Sequence, residues 1–110
     1  MVKQTGVQYR VWLEPEVHQL RGSLPGSVRQ RIKRAINKIS TNPRLVESKE
    51  LVTEGLTIPT GIEVRRLRME GWRIIYAVHE ADKWVWVLAI HRRPPYNYQD
   101  LPELISRIRE

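Results

Sequence analysis

The stretch EVRRLRMEGWRIIYAVHEADKWVWVLAIHRR, residues 63–93, decides the fold. Trp72, Ile74 and Tyr76 alternate with Arg73 and Ile75, which is the two-residue period of a strand with two distinct faces. Val64, Arg66 and Arg68 form one face of an earlier strand, and Arg65 and Leu67 the other. Met69-Glu70-Gly71 lies between the two runs, and Gly71 supplies the positive φ that a tight return needs. Residues 84–90 are almost continuously apolar, as in a strand covered on both sides, and Glu80-Ala81-Asp82-Lys83 marks the turn before them. These signals predict a three-stranded antiparallel meander whose arginines arrive at strand ends and converge on one solvent-facing concavity.

The rest of the chain supplies support for this meander. Residues 8–13 alternate Tyr9, Val11 and Leu13 with Gln8, Arg10 and Trp12, which predicts a first strand. Pro15 then opens a short helix to about Arg21. Over residues 25–41, Val28, Ile32, Ala35, Ile36 and Ile39 form one helical face, with Arg29, Arg31, Lys33, Arg34 and Lys38 on the other. Ser27 and Gln30 have the spacing of a capping box, with a first turn placed slightly earlier by Pro25 as the alternative, and Asn42-Pro43 ends the helix. Residues 44–61 are irregular, with Lys49-Glu50-Leu51 in the middle; a connection this long is more often functional or mobile than idle. Residues 94–98, PPYNY, read as extended. Asp100 and Glu103 cap a last helix striped by Leu101, Leu104, Ile105 and Ile108. The expected fold is α+β, a helical hairpin packed on a small, mainly antiparallel twisted sheet, in the order β-α-α-β-β-β-α.

Composition narrows the function. The 110 residues suit one domain spanning 1–110, and the absence of cysteine excludes disulfides and thiolate metal sites. His18, His79 and His91 have no metal-ligand spacing, so neither a metal nor another cofactor is expected. No apolar run near the start has the length of a signal peptide or membrane span, which points to a cytoplasmic protein. The net charge of +7 and a pI near 10.2 favour a polyanionic or acidic partner. Fourteen of the nineteen cations are arginine, whose guanidinium forks onto phosphate and stacks on bases, so the balance leans toward nucleic acid.

Five phrases resemble the RelE/ParE superfamily of bacterial type II toxins: YRVWLEPEV (9–17), ISTNP (39–43), KEL (49–51), the hairpin RLRMEGWRIIYAV (66–78), and VLAIHRR (87–93) running on to Tyr96. The resemblance implies a toxin neutralised by an antitoxin that wraps its surface. RelE-like members enter the ribosomal A site and cut mRNA, whereas ParE-like members poison DNA gyrase and lack the nuclease residues. By position, Arg73 matches the arginine that stabilises charge on the reacting phosphate. Arg66 stands where a lysine is frequent, and Arg68 matches an arginine retained widely. The second catalytic arginine falls on Arg92 or Arg93, depending on which spacing is counted, and the terminal tyrosine on Tyr96 or Tyr98. The Pro94-Pro95 pair departs from the family pattern. Lys49, Arg68, Arg29, Arg34 and Lys38 are the further RNA-binding candidates.

RNA cleavage by 2′-hydroxyl attack needs a proton acceptor, stabilisation of the phosphorane oxygens and a donor for the leaving 5′-oxygen. Arginine serves the second need and not the first, because it stays protonated. His91, Tyr96, Tyr98, Glu63 and Glu70 are the titratable neighbours in sequence, and His91 has the most suitable ordinary pKa of that set, roughly 6.5. The expectation is a metal-independent endoribonuclease active on the ribosome. The alternatives are a gyrase-binding toxin without chemistry and a decayed relative that only binds antitoxin or RNA.

Overall fold

A computed structural model describes residues 8–53, 55–93 and 97–108. Its elements are β1 (Arg10–Leu13), α1 (Pro15–Ser23), α2 (Gly26–Thr41), β2 (Ser48–Glu50), β3 (Ile62–Met69), β4 (Trp72–His79), β5 (Trp84–Arg92) and α3 (Leu101–Ser106). The five strands form one sheet in the order β1-β5-β4-β3-β2. Only β1 and β5 run parallel; the other three pairings are antiparallel. The fold class and the helical hairpin agree with the sequence reading. The element order gains one strand, β-α-α-β-β-β-β-α, because β2 forms inside the stretch read as irregular.

β4 sits at the centre and buries both faces. Trp72, Ile74, Tyr76 and Val78 pack with Ile32, Ala35, Ile36 and Ile39 of α2 and Val17 of α1. On the other side, Ile75 and Ala77 join Val64, Leu88 and the α3 stripe Leu101, Leu104, Ile105 and Ile108. The stripe read from the sequence is therefore the second layer of the core. Alternation then fixes the charged residues: Arg66 and Arg68 share the Val64 side of β3, and Arg73 the Ile75 side of β4.

β5 breaks strict alternation. Ile75 pairs with Ala89 and Tyr76 with Val87, so Leu88 is an extra residue, a β-bulge. Val85 and Val87 face the hairpin helices before the bulge, and Ile90 faces them after it. The shift turns Arg92 toward the hairpin side and His91 and Arg93 toward α3.

The turns are locally determined. Met69 pairs with Trp72 across Glu70 and Gly71, and Gly71 has φ of +73°. Lys83, at φ +56°, closes the β4–β5 turn and bonds Glu80, which also accepts from Tyr9 and Arg44. Arg44 further bridges to Glu63, itself paired with Arg65. Three capping and tail expectations fail. The N-cap of α2 is Pro25, the earlier start, and not Ser27, and no side-chain cap bond forms, because the helix starts two residues earlier than a Ser27 cap requires. Asp100 is the N-cap of α3 but makes no side-chain cap bond, since its carboxylate is turned to His91. Tyr98 has φ of +67° rather than an extended backbone, and Pro94, Pro95 and Tyr96 lie outside the described residues.

Truncating a side chain at the centre of this core removes apolar contact and leaves a void. Ile74 is fully buried, and Ile74→Ala is expected to lower the unfolding free energy by ~2–5 kcal/mol in chemical denaturation. Burial pushes the Glu63 carboxyl up, but bonds from Arg44 and Arg65 outweigh it and hold the group below its usual range. Lys83, with Tyr9 and Arg44, brings Glu80 down to about 2. Carboxyls lowered by folding stabilise above their unfolded pKa, roughly 4.3, and that contribution is lost as pH falls through the folded values. Stability is therefore expected to drop between about pH 4.5 and 2, and Glu80→Gln should flatten that drop in pH-dependent thermal melts.

Candidate nucleic-acid cleft

A cleft of about 310 Å³ opens on the α3 side of the sheet, at the end where β3 turns into β4. β2 contributes Lys49 and Glu50 to it, the latter being the one carboxylate of its lining among the described residues, and the segment after β2 adds Leu51 and Val52. β3 contributes Arg66 and Arg68, β4 contributes Arg73, and Arg93 and Tyr98 come from either side of residues 94–96. Sheet register brings these groups together: Lys49 lies opposite Arg66, and Arg68 opposite Arg73. The Arg93 guanidinium sits over the Tyr98 ring, 5.6 Å from its centroid, and the Arg93 N–H donates to the Gly71 carbonyl at 3.0 Å. Arg66 donates to the Glu47 carbonyl and Arg73 to the Trp72 carbonyl, at 3.2 and 2.8 Å.

Counter-ions divide the basic residues into two sets, and among the described residues Arg29, Lys33, Arg34 and Lys38 of α2 fall with those of the cleft. Arg31, Arg44, Arg65, Lys83 and Arg107 each pair with a glutamate. Among the described residues Lys49, Arg66, Arg68 and Arg73 pair with no carboxylate. Like charges directly opposite one another on neighbouring strands destabilise a sheet. Two such pairs in one concavity make a site that lowers its energy by taking up an anion, and guanidinium forks suit phosphate oxygens.

The structure separates the other sequence candidates. Arg92 lies on the opposite side of the sheet, over Trp72 at 5.7 Å, so Arg93 rather than Arg92 enters the cleft. His91 is in register with Arg73, but its ring lines the neighbouring groove and its Nε2 lies 3.0 Å from Asp100 Oδ2. Glu63 and Glu70 are engaged elsewhere, with Arg44 and Arg65 and with Arg31 respectively. Tyr96 is outside the described residues. Arg34 and Lys38, with Arg31, line a second groove between α2 and β3, and Arg68 forms the lip shared by that groove and the cleft. Arg29 lines neither. Leu51 and Val52 were not anticipated, although the phrase KEL immediately precedes Val52. Among the described residues no cluster of three or more His, Cys, Asp or Glu side chains is placed to hold a metal ion, and no helix is long and apolar enough to cross a membrane.

The arrangement defines an α+β fold with a basic cleft at one end of its sheet, and comparison with solved structures gives that fold its name. RelE in the archaeal RelE–RelB complex from Pyrococcus horikoshii OT3 superposes with a TM-score of 0.69 at 24% identity, covering 82% of this chain and 100% of that one. A chain of a toxin–antitoxin complex from Mycobacterium tuberculosis gives 0.62 at 22% identity, covering 79% and 100%. The isolated RelE toxin of E. coli gives 0.56 at 19% identity, covering 90% and 97%. The chain thus has the RelE-like fold, and its structural neighbours are RelE toxins. No family model and no curated protein matches the sequence.

If the opposed cations are kept at a cost to stability, removing one stabilises the fold. Arg68→Thr is expected to raise the unfolding free energy by ~0.2–1 kcal/mol in low salt, with a smaller gain in high salt; denaturant titrations at two ionic strengths measure this.

Proposed function

We propose that this chain is the toxin of a type II toxin–antitoxin pair, a RelE-family endoribonuclease that cuts mRNA on the ribosome. The observation that carries the reading is the convergence of Lys49, Arg66, Arg68, Arg73 and Arg93 on one open cleft with Tyr98 at its rim. A scissile phosphate seated there meets guanidinium donors from β3, from β4 and from the residue just after β5. Their fixed positive charge is worth most when the phosphorane carries its extra negative charge, so it favours the transition state over the substrate. Arg73 and Arg93 clamp the phosphate. The proton transfers fall to groups able to gain and lose a proton, and Tyr98, Lys49 and Glu50 are such groups within the cleft. Ribosomal bending of the message into an in-line geometry supplies the orientation.

The second groove extends the basic surface past Arg68 to Arg34 and Lys38, and we assign it to phosphate contacts outside the cut site. The partner in the resting cell is an antitoxin: RelE from P. horikoshii and from E. coli were both crystallised with RelB. An antitoxin covering this charge is expected to be acidic and to be encoded beside this chain. The site of action is the cytoplasm.

Replacing Arg73 with alanine is expected to reduce ribosome-dependent mRNA cleavage by about 10²-fold or more, the cost of losing one charge-stabilising donor. Primer extension on programmed ribosomes measures this, and undiminished cutting by the folded variant would defeat the assignment. DNA damage without cut mRNA on expression would point instead to gyrase as target. Replacing Arg34 and Lys38 together with glutamine should leave the chemistry intact, weaken ribosome binding, and reduce the slope of log affinity against log salt by about one per lost phosphate contact.

A further inference from the structure

Asp100 occupies the N-cap position of α3 yet gives its side chain to another task. Its Oδ2 lies 3.0 Å from His91 Nε2. His91 on β5 and Arg93 just past its end are two residues apart, and Asp100 and Tyr98 are two residues apart on the segment facing them. The Arg93 guanidinium lies over Tyr98, 5.6 Å from the ring centroid. Two cross-contacts therefore join the same pair of segments like successive rungs, one in the cleft and one just outside it. The backbone reinforces the outer segment: the Leu101 N–H donates to the Tyr98 carbonyl at 3.2 Å, and the Leu104 N–H to the Asp100 carbonyl at 2.9 Å.

We propose that His91 and Asp100 form a positioning pair that sets Tyr98 against Arg93, fixing the geometry of the cleft without touching RNA. The inference rests on the nuclease reading for its effect on catalysis, but the placement of Tyr98 is independent of it. Tyr98 carries a backbone at φ +67°, a conformation that non-glycine residues hold only under external constraint. A bond from Asp100 to a rigid β-strand supplies one such constraint. The imidazole donates to the carboxylate when neutral and more strongly when charged. Around it stand Arg73 from β4, Glu16 from α1, and Glu103 and Arg107 from α3, so both charge signs border the groove.

The test uses Asp100→Ala and His91→Gln in the full chain, the second of which leaves every residue of α3 unchanged. Both are expected to shift the Tyr98 ring resonances, assigned by tyrosine labelling, while thermal melts stay cooperative. Unmoved Tyr98 resonances in both variants would overturn the proposal whether or not the protein cuts RNA. In cleavage assays, Asp100→Ala is expected to cost roughly 10-fold or more, as small misplacements do. In a Tyr98→Ala background the same change should cost nothing further, because its effect passes through Tyr98. Effects that multiply instead would mean that Asp100 acts by another route. A wild-type protein that cuts no RNA but shows the Tyr98 shift would sink the nuclease reading and leave the positioning pair standing.

Discussion

Burial of both faces of β4 is the constraint from which the rest of the molecule follows. Trp72, Ile74, Tyr76 and Val78 must meet the helical hairpin, and Ile75 and Ala77 must meet α3. With both sides committed, the strand has one permissible register; a slip by one residue would bury Arg73 among aliphatic side chains. Arg73 is thereby held at the strand's start, on the α3 side, where the sheet reaches solvent. Its cross-strand neighbours inherit the same orientation, so the location of the cationic cleft is a by-product of core packing.

The molecule treats its cations in two ways. At the far end of β3 and β4, Glu63 and Glu80 gather Arg44, Arg65 and Lys83 into a network, and the Tyr76 hydroxyl beneath it bonds the Pro43 carbonyl. Charge there ties the 42–48 segment to the sheet. At the cleft end, Lys49 stands opposite Arg66 and Arg68 opposite Arg73, and peptide carbonyls accept from Arg66 and Arg73. Carbonyls orient a guanidinium without cancelling its charge, so the field stays available to an incoming polyanion. Among the described residues, carboxylates gather the basic residues at one end of β3 and β4, and carbonyls hold Arg66 and Arg73 at the other.

The central hairpin was legible because three signals agreed: the alternation of 64–68 and 72–76, the intervening Gly71, and the apolar run from Trp84. β2 was not legible. Ser48-Lys49-Glu50 has no strand propensity, and it becomes a strand only by pairing with the edge of β3. The ambiguity between Arg92 and Arg93 had a similar origin. Neighbours on a strand face opposite ways, and which one enters the cleft depends on the bulge at Leu88, whose register offset exists only in the paired sheet. Asp100 misled for a different reason. Its spacing to Glu103 is that of a cap, and no local pattern reveals a histidine nine residues earlier competing for its carboxylate. The carboxylates Glu63 and Glu70 looked available beside the arginines in sequence, yet each answers a basic residue from another segment.

β1 pairs with β5 alone among the strands, with Arg10 opposite Trp84. That parallel contact spans most of the chain and must await synthesis of the whole intervening segment, a costly loop to close. The cleft is completed later still, since Arg93 and Tyr98 are translated after every other residue assigned to it. A nascent chain halted anywhere before them carries the basic hairpin without a finished cleft. Completion of the chain is therefore also completion of the cleft.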